Sequence, residues 1–180
     1  MRKILLLKHW QIFLIFFLFP VLPRLLFFAK VVSVSNPKIL FALSSAAGGM
    51  IYLFWVYAIG IILYSLKRQQ VNLRSVRFQV SIVFMLLYFP CFVVLFSIYR
   101  PEEIFESSWA GLLFILHLSA IICMIYCAYF IAKLINTIEQ NKNVRDSQII
   151  VDIFLIMFFP VGIWIIQPRL NNILKLKTSL

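Results

Sequence analysis

Acidic side chains are nearly missing from this chain, with 6 Asp and Glu among 180 residues against 17 Lys and Arg. Three of them, Glu102, Glu103 and Glu106, crowd into PEEIFESS at 101–108. Histidine is scarcer still, with only His9 and His117. Neither lies in an HExxH, no Ser-His-Asp set can be assembled, and the five glycines form no phosphate-binding loop. The chain is expected not to be an enzyme and to need no cofactor. Cys91, Cys123 and Cys127 all fall within apolar runs, which makes no disulfide framework, so buried free thiols are expected. Cys123 and Cys127 share a helix face, but His117 falls on another part of the circumference and no fourth ligand is near. No metal site is expected. Also missing is any polar stretch long enough to fold alone, which excludes a separate soluble domain.

Apolar surface fills the chain instead. It is 63% hydrophobic, with 19 Phe and a mean hydropathy of +1.00. A soluble domain is roughly 45–50% apolar. The reading is one integral membrane domain over 1–180: an all-α, polytopic membrane helical bundle of four to five transmembrane helices with proline-kinked segments. Uncharged runs of 28, 22 and 26 residues lie between Lys38 and Lys67, Arg77 and Arg100, and Glu106 and Lys133. Each exceeds the roughly 20 residues that a span needs. Two runs are shorter, 15 residues after Lys8 and 16 after Asp152. The predicted spans are about 10–28, 39–66, 78–99, 108–135 and 149–167. Trp10, Tyr64, Tyr88, Tyr99, Trp109 and Trp164 near their ends are expected interfacial anchors. The basic start and first apolar run offer no small-x-small cleavage site, so this run is expected to be retained.

The net charge is +11. The basic residues flank apolar runs, which fits headgroups and insertion topology better than nucleic acid. The expected partners are the lipid bilayer and other membrane helices, of this chain or a partner protein. No direct nucleic-acid contact is expected. With the N-terminus in the cytoplasm of a bacterial inner membrane and five full spans, ten basic residues fall inside and seven outside. If segment 149–167 dips in and returns, the split becomes thirteen to four. Arg2, Lys3, Lys67, Arg68 and Arg74 count inside either way, while Arg169, Lys175 and Lys177 move. The positive-inside bias therefore favours a re-entrant or shallow last segment.

Phe-Pro recurs at Phe19-Pro20, Phe89-Pro90 and Phe159-Pro160, 70 residues apart each time. Outside these pairs the blocks do not match. Each proline strands the carbonyl four residues earlier, so Pro20, Pro90 and Pro160 are expected at kinks or hinges covered by protein. Helix 39–66 carries ALSSAAGGM, in which Ala42 and Ala46, Ser44 and Gly48, and Ser45 and Gly49 are small-xxx-small pairs. They clear a face for close helix contact, within the chain or between copies. His117 and Asp152 are the ionisable groups nearest hydrophobic depth. His117 is expected either as a proton or ion relay or as a neutral histidine bonded to Ser119 or to a carbonyl freed near Pro90. Asp152 is expected to pair with Arg145 or Lys142.

The stretch FFPVGIWIIQPRLNN at 158–172 has its own signals. Pro160-Val161-Gly162 is a predicted flexible break, with Pro160 facing protein. Pro168 is a predicted helix stop, and Arg169 is expected to reach lipid phosphates, so that Arg169→Lys is nearly neutral. Through Phe159, Pro160, Gly162, Trp164, Gln167, Pro168, Arg169 and Asn171 this element resembles the C-terminus of uncharacterised small multi-pass membrane proteins of Bacteroidetes-type bacteria. Size and span count are also similar to the small accessory membrane proteins of CRISPR type VI-B loci. These resemblances imply no activity. The functional expectation is a non-enzymatic scaffold, regulator or pore-forming accessory subunit. The alternative is a small transporter or proton-coupled carrier using His117.

Overall fold

A computed structural model describes residues 5–31, 33, 35–67 and 73–176. Arg2, Lys3, Arg68 and Lys177 of the charge balance lie outside the described residues. Among these the chain is helical, without strands. The helices are α1 (His9–Phe28), α2 (Pro37–Lys67), α3 (Ser75–Ile98), α4 (Pro101–Phe105), α5 (Ala110–Gln140), α6 (Ile150–Met157) and α7 (Phe159–Leu176), with a 3-10 turn at Asp146–Gln148 before α6. α2, α3 and α5 are each long and apolar enough to cross a membrane. α1 joins them if its 48° bend before Pro20 lies within one span, and α6 with α7 if their 119° bend does.

Local chemistry sets several boundaries. α4 has Pro101 at its start and Glu103 accepting the Arg100 N–H at 3.2 Å, a carboxylate at the positive end of the helix. α5 runs five residues past the expected 135, because Ile135, Asn136 and Thr137 are still buried against α6 and α7. It stops at Asn141, which takes the left-handed conformation (φ 51°) that Asn tolerates.

α2 is the central helix and packs on α1, α3 and α5. α6 packs on α5 and α7, and α7 packs on α1 and α5. Burial is strongly uneven along the bundle. α5 is buried at most positions from Cys127 to Thr137 and at none from Ala110 to Tyr126. α3 buries Phe78, Ser81, Ile82 and Met85 and nothing later. α1 buries Ile12 and Phe16 and no described side chain after them. The packed half holds residues 5–8, the start of α3, the end of α5 and both termini of the α6–α7 pair. It is called the closed end here; the half holding the end of α1 and the start of α5 is the open end.

The α6–α7 pair explains the asymmetry. α6 leaves the closed end, the chain turns at Phe158 (φ −86°, ψ 62°), and α7 returns to the closed end. Only half the bundle therefore receives these helices. The break falls at Phe158, ahead of the predicted Pro160-Val161-Gly162. Pro160 is the second residue of α7, where no N–H is needed, and it is exposed rather than facing protein. A continuous helix would set its ring against the Ile156 carbonyl. That carbonyl instead accepts the Tyr52 hydroxyl of α2 at 2.9 Å.

Pro90 lies inside an uninterrupted α3. Pro168 does not stop α7, which runs on to Leu176. Beyond it Leu170, Ile173 and Leu174 are 0%, 5% and 1% exposed, an apolar stripe at helical spacing. Burying three such side chains gives roughly 1.5–3 kcal/mol each, which outweighs one lost backbone bond.

Gly162 makes the hairpin tight: a Cβ there would overlap the Leu155 carbonyl. Gly162→Ala should lower the unfolding free energy by about 1–3 kcal/mol. Val161→Ala, at a neighbouring exposed position, should stay within about 0.5 kcal/mol. Denaturant titration of both variants in detergent micelles checks the difference.

Candidate functional site

Two polar constellations stand out, one at each end. At the closed end α7 brings in Gln167, Arg169 and Asn171. Arg169 meets Glu139 of α5 with two parallel bonds, Nε to Oε1 at 2.9 Å and Nη2 to Oε2 at 2.6 Å. Its Nη1 donates to Asp152 Oδ1 at 2.6 Å, and Asp152 Oδ2 accepts from Asn136 at 2.5 Å. Gln167, 0% exposed, accepts from the Trp55 indole at 3.2 Å and donates to the Leu5 carbonyl at 2.7 Å. Asn171 donates to the Leu7 carbonyl at 3.2 Å. One short stretch thus ties the N-terminal segment, α2, α5 and α6 together.

These contacts correct two expectations. Asp152 pairs with Arg169, not with Arg145 or Lys142. The nearby loop makes its own ion pair, Lys133 to Asp146 at 2.7 Å, with Tyr129 also donating to Asp146. The Lys133 hydrogen bond, then that of Tyr129, hold the Asp146 carboxyl below its usual range. Whatever that pair adds to stability is therefore present above the unfolded pKa and lost as pH falls. Arg169, for its part, is not free for lipid phosphate. Its fork is filled by carboxylates in a half-buried setting, where a planar donor set and a point charge are not equivalent.

The open end holds a cavity of about 580 Å³ between α1, α2, α3 and α5, floored by the α6–α7 turn. Arg24 from α1 lines its mouth. Its Nη2 donates to Ser45 Oγ at 2.5 Å, and its guanidinium lies 5.5 Å over the Phe41 ring. Its Nε is buried without a hydrogen-bond partner. Across the cavity Tyr88 Oη and His117 Nδ1 share a hydrogen bond of 2.8 Å, and the His117 ring stacks on Phe92 at 4.8 Å. Ser119, named above as a partner for His117, donates to the Ile115 carbonyl instead. Deeper, the walls are Phe16, Leu53, Met85, Met124, Met157 and Phe159.

The small residues of α2 serve these contacts. Gly48 lies against Pro20 of α1, and Gly49 lies under the Phe89 ring of α3, where no Cβ would fit. Ala42, Ser44 and Ala46 are buried within the chain, and Ser45 is the acceptor for Arg24. Among the described residues no group of His, Cys, Asp and Glu forms a metal-binding cluster.

Sequence reasoning missed Arg24, Tyr88 as a cavity group, Asn136, Glu139 and Gln167. The spacing Pro20-x-x-x-Arg24 put the arginine on the face of the proline, and Asn136 with Glu139 are polar neighbours on one helix face. Those signals were present but weak. No protein-family model, curated protein or solved structure matches the chain.

The closed-end fork makes a prediction opposite to the anchor expectation. Arg169→Lys should cost about 1–3 kcal/mol of stability through the lost charge-assisted bonds. Adding Glu139→Gln to it should cost far less than Glu139→Gln alone, because the two side chains act as a unit. A double-mutant cycle of unfolding free energies measures this.

Proposed function

We propose that the chain is a non-enzymatic, multi-pass protein of a cell inner membrane, with its N-terminus cytoplasmic. It acts as an accessory component by holding a small molecule in the open end of the bundle. The observation that carries this reading is the cavity of about 580 Å³ with polar groups at its mouth and apolar walls below. That volume is in the usual range of roughly 300–1,000 Å³ for ligand sites.

Orientation is supported by charge. Residues 5–8 and 167–175 lie at one end of the bundle, tied by Gln167 and Asn171. With the N-terminus in the cytoplasm, Arg169 and Lys175 would join the basic residues counted inside, the arrangement the positive-inside bias favours. A scaffold seam on α2 has less support, since its small residues are occupied by α1 and α3.

The rival reading is a proton-coupled carrier using His117. Its other candidate group, Asp152, bonds Asn136, which is 19 positions along α5 from His117, about 28 Å at 1.5 Å per residue. Tyr88 is the hydrogen-bond partner His117 has. The geometry therefore favours His117 as part of a wall over a step in a relay.

Two measurements test the proposal. A C-terminal fusion to a cytoplasm-only fluorescent reporter should be bright, and one to a periplasm-only phosphatase inactive; active phosphatase would contradict the returning hairpin. Native mass spectrometry of the protein in mild detergent should find one bound small molecule, and Ala120→Trp, which fills the cavity, should lose it. If both carry the same added mass or none, the cavity is not the binding site.

A further inference from the structure

The cavity is graded along its length. On α1 it extends from Arg24 to Phe16, on α2 from Ser45 to Leu53, and on α5 from His117 to Met124. These are eight, eight and seven residues, or about 10–12 Å of helix rise on all three. Arg24, Ser45 and His117 mark one end of each stretch, and Phe16, Leu53 and Met124 mark the other. At that inner end the Tyr52 hydroxyl is already taken by the Ile156 carbonyl. The cavity therefore has a polar, cationic mouth and an apolar floor.

The cation at the mouth is uncompensated. Among the described residues no carboxylate lies within ion-pair distance of Arg24; its contacts are a hydroxyl and an aromatic face. An arginine in an apolar bundle normally pairs or snorkels to water. This one is turned inward, with Nε buried and unpartnered beside the cavity it lines. A guanidinium with no acidic partner suits an oxyanion, carboxylate or phosphate, which accepts charge-assisted bonds from its N–H donors. The matching ligand carries its negative charge on an unbranched apolar body, because below the mouth the lining is hydrocarbon or thioether apart from the Tyr52 hydroxyl, which already donates to the Ile156 carbonyl.

We infer that the cavity binds a single-chain anionic amphiphile, its carboxylate or phosphate on Arg24 and its acyl chain lying toward Leu53, Met124 and Met157. This rests on the receptacle reading above and names its ligand class. A neutral lipid would fill the same volume but leave the guanidinium unpaired.

The test uses the full-length protein in neutral detergent micelles and three C16 probes with a mid-chain diazirine: the fatty acid, the lysophosphatidate and the fatty alcohol. Photolabelling is mapped by peptide mass spectrometry as each probe is titrated. At least one anionic probe should label the cavity floor at roughly 10- to 100-fold lower concentration than the alcohol. Which anion wins identifies the headgroup. Arg24→Gln should bring the anions to the alcohol's level, and Arg24→Lys should keep part of the preference. If Arg24→Gln does not fold, the anion-to-alcohol ratio of the wild-type protein still decides. Equal labelling of the cavity by alcohol and anions overturns this inference and leaves the receptacle reading standing. No labelling of the cavity by any probe overturns both, and leaves Arg24 to an acidic helix of another protein.

Discussion

Pro160 has no N–H to give the Ile156 carbonyl, and its ring would collide with that carbonyl if the helix ran on. In an apolar bundle a stranded carbonyl costs several kcal/mol unless a neighbour takes it. Tyr52 takes it, at 2.9 Å. That bond fixes where the last helical segment turns, at about the middle of α2. From the turn, α7 returns to the end that α6 left, and Gly162 lets the two cross at van der Waals distance of the Leu155 backbone. One half of the bundle then has a full set of helices and a buried core. The other half lacks them, and the space they would have filled is the cavity.

The closed end has the matching constraint. A hairpin that turns back must be held at its base, and the base is where the buried polar residues gather. Arg169 joins α7 to α5 through Glu139 and to α6 through Asp152, while Gln167 joins α7 to α2 and to the N-terminal segment. Breaking one partner of such a set leaves another polar group unpaired, so the cost exceeds that of a single surface contact. The rings of Phe16, Tyr52, Trp55 and Phe159 pack around the turn with centroids 4.1–6.3 Å apart, which keeps Tyr52 in place for its carbonyl.

Much of the fold was legible in the sequence. The long uncharged runs placed α2, α3 and α5 to within a few residues, because hydrocarbon-length apolar stretches have few other uses. The basic residues, with Arg169 and Lys175 counted at the N-terminal side, also pointed to a segment that returns. The polar partnerships were not legible. Asp152 had Arg145 and Lys142 closer in sequence than Arg169, and only the hairpin brings residues 152 and 169 together. Pro168 was read as a stop because its local preference is strong, yet the stripe Leu170, Ile173 and Leu174 holds the helix through it. Arg24 was read as the end of an apolar run. What makes it notable is an inward turn toward Ser45, and a linear pattern cannot register which way a side chain faces when the whole circumference is apolar.

The returning hairpin can be measured without reference to ligand or activity. Spin labels at Val151 and Asn172, both exposed, in a chain with Cys91, Cys123 and Cys127 replaced by serine, report their separation by pulsed electron resonance. With α6 and α7 side by side and Asp152 touching Arg169, the backbone separation should be about 10–20 Å. A continuous helix over the same 21 positions would put them about 32 Å apart. The short distance is the one this structure predicts; the long one would mean that the last segment spans, that the open end is filled, and that the cavity does not exist.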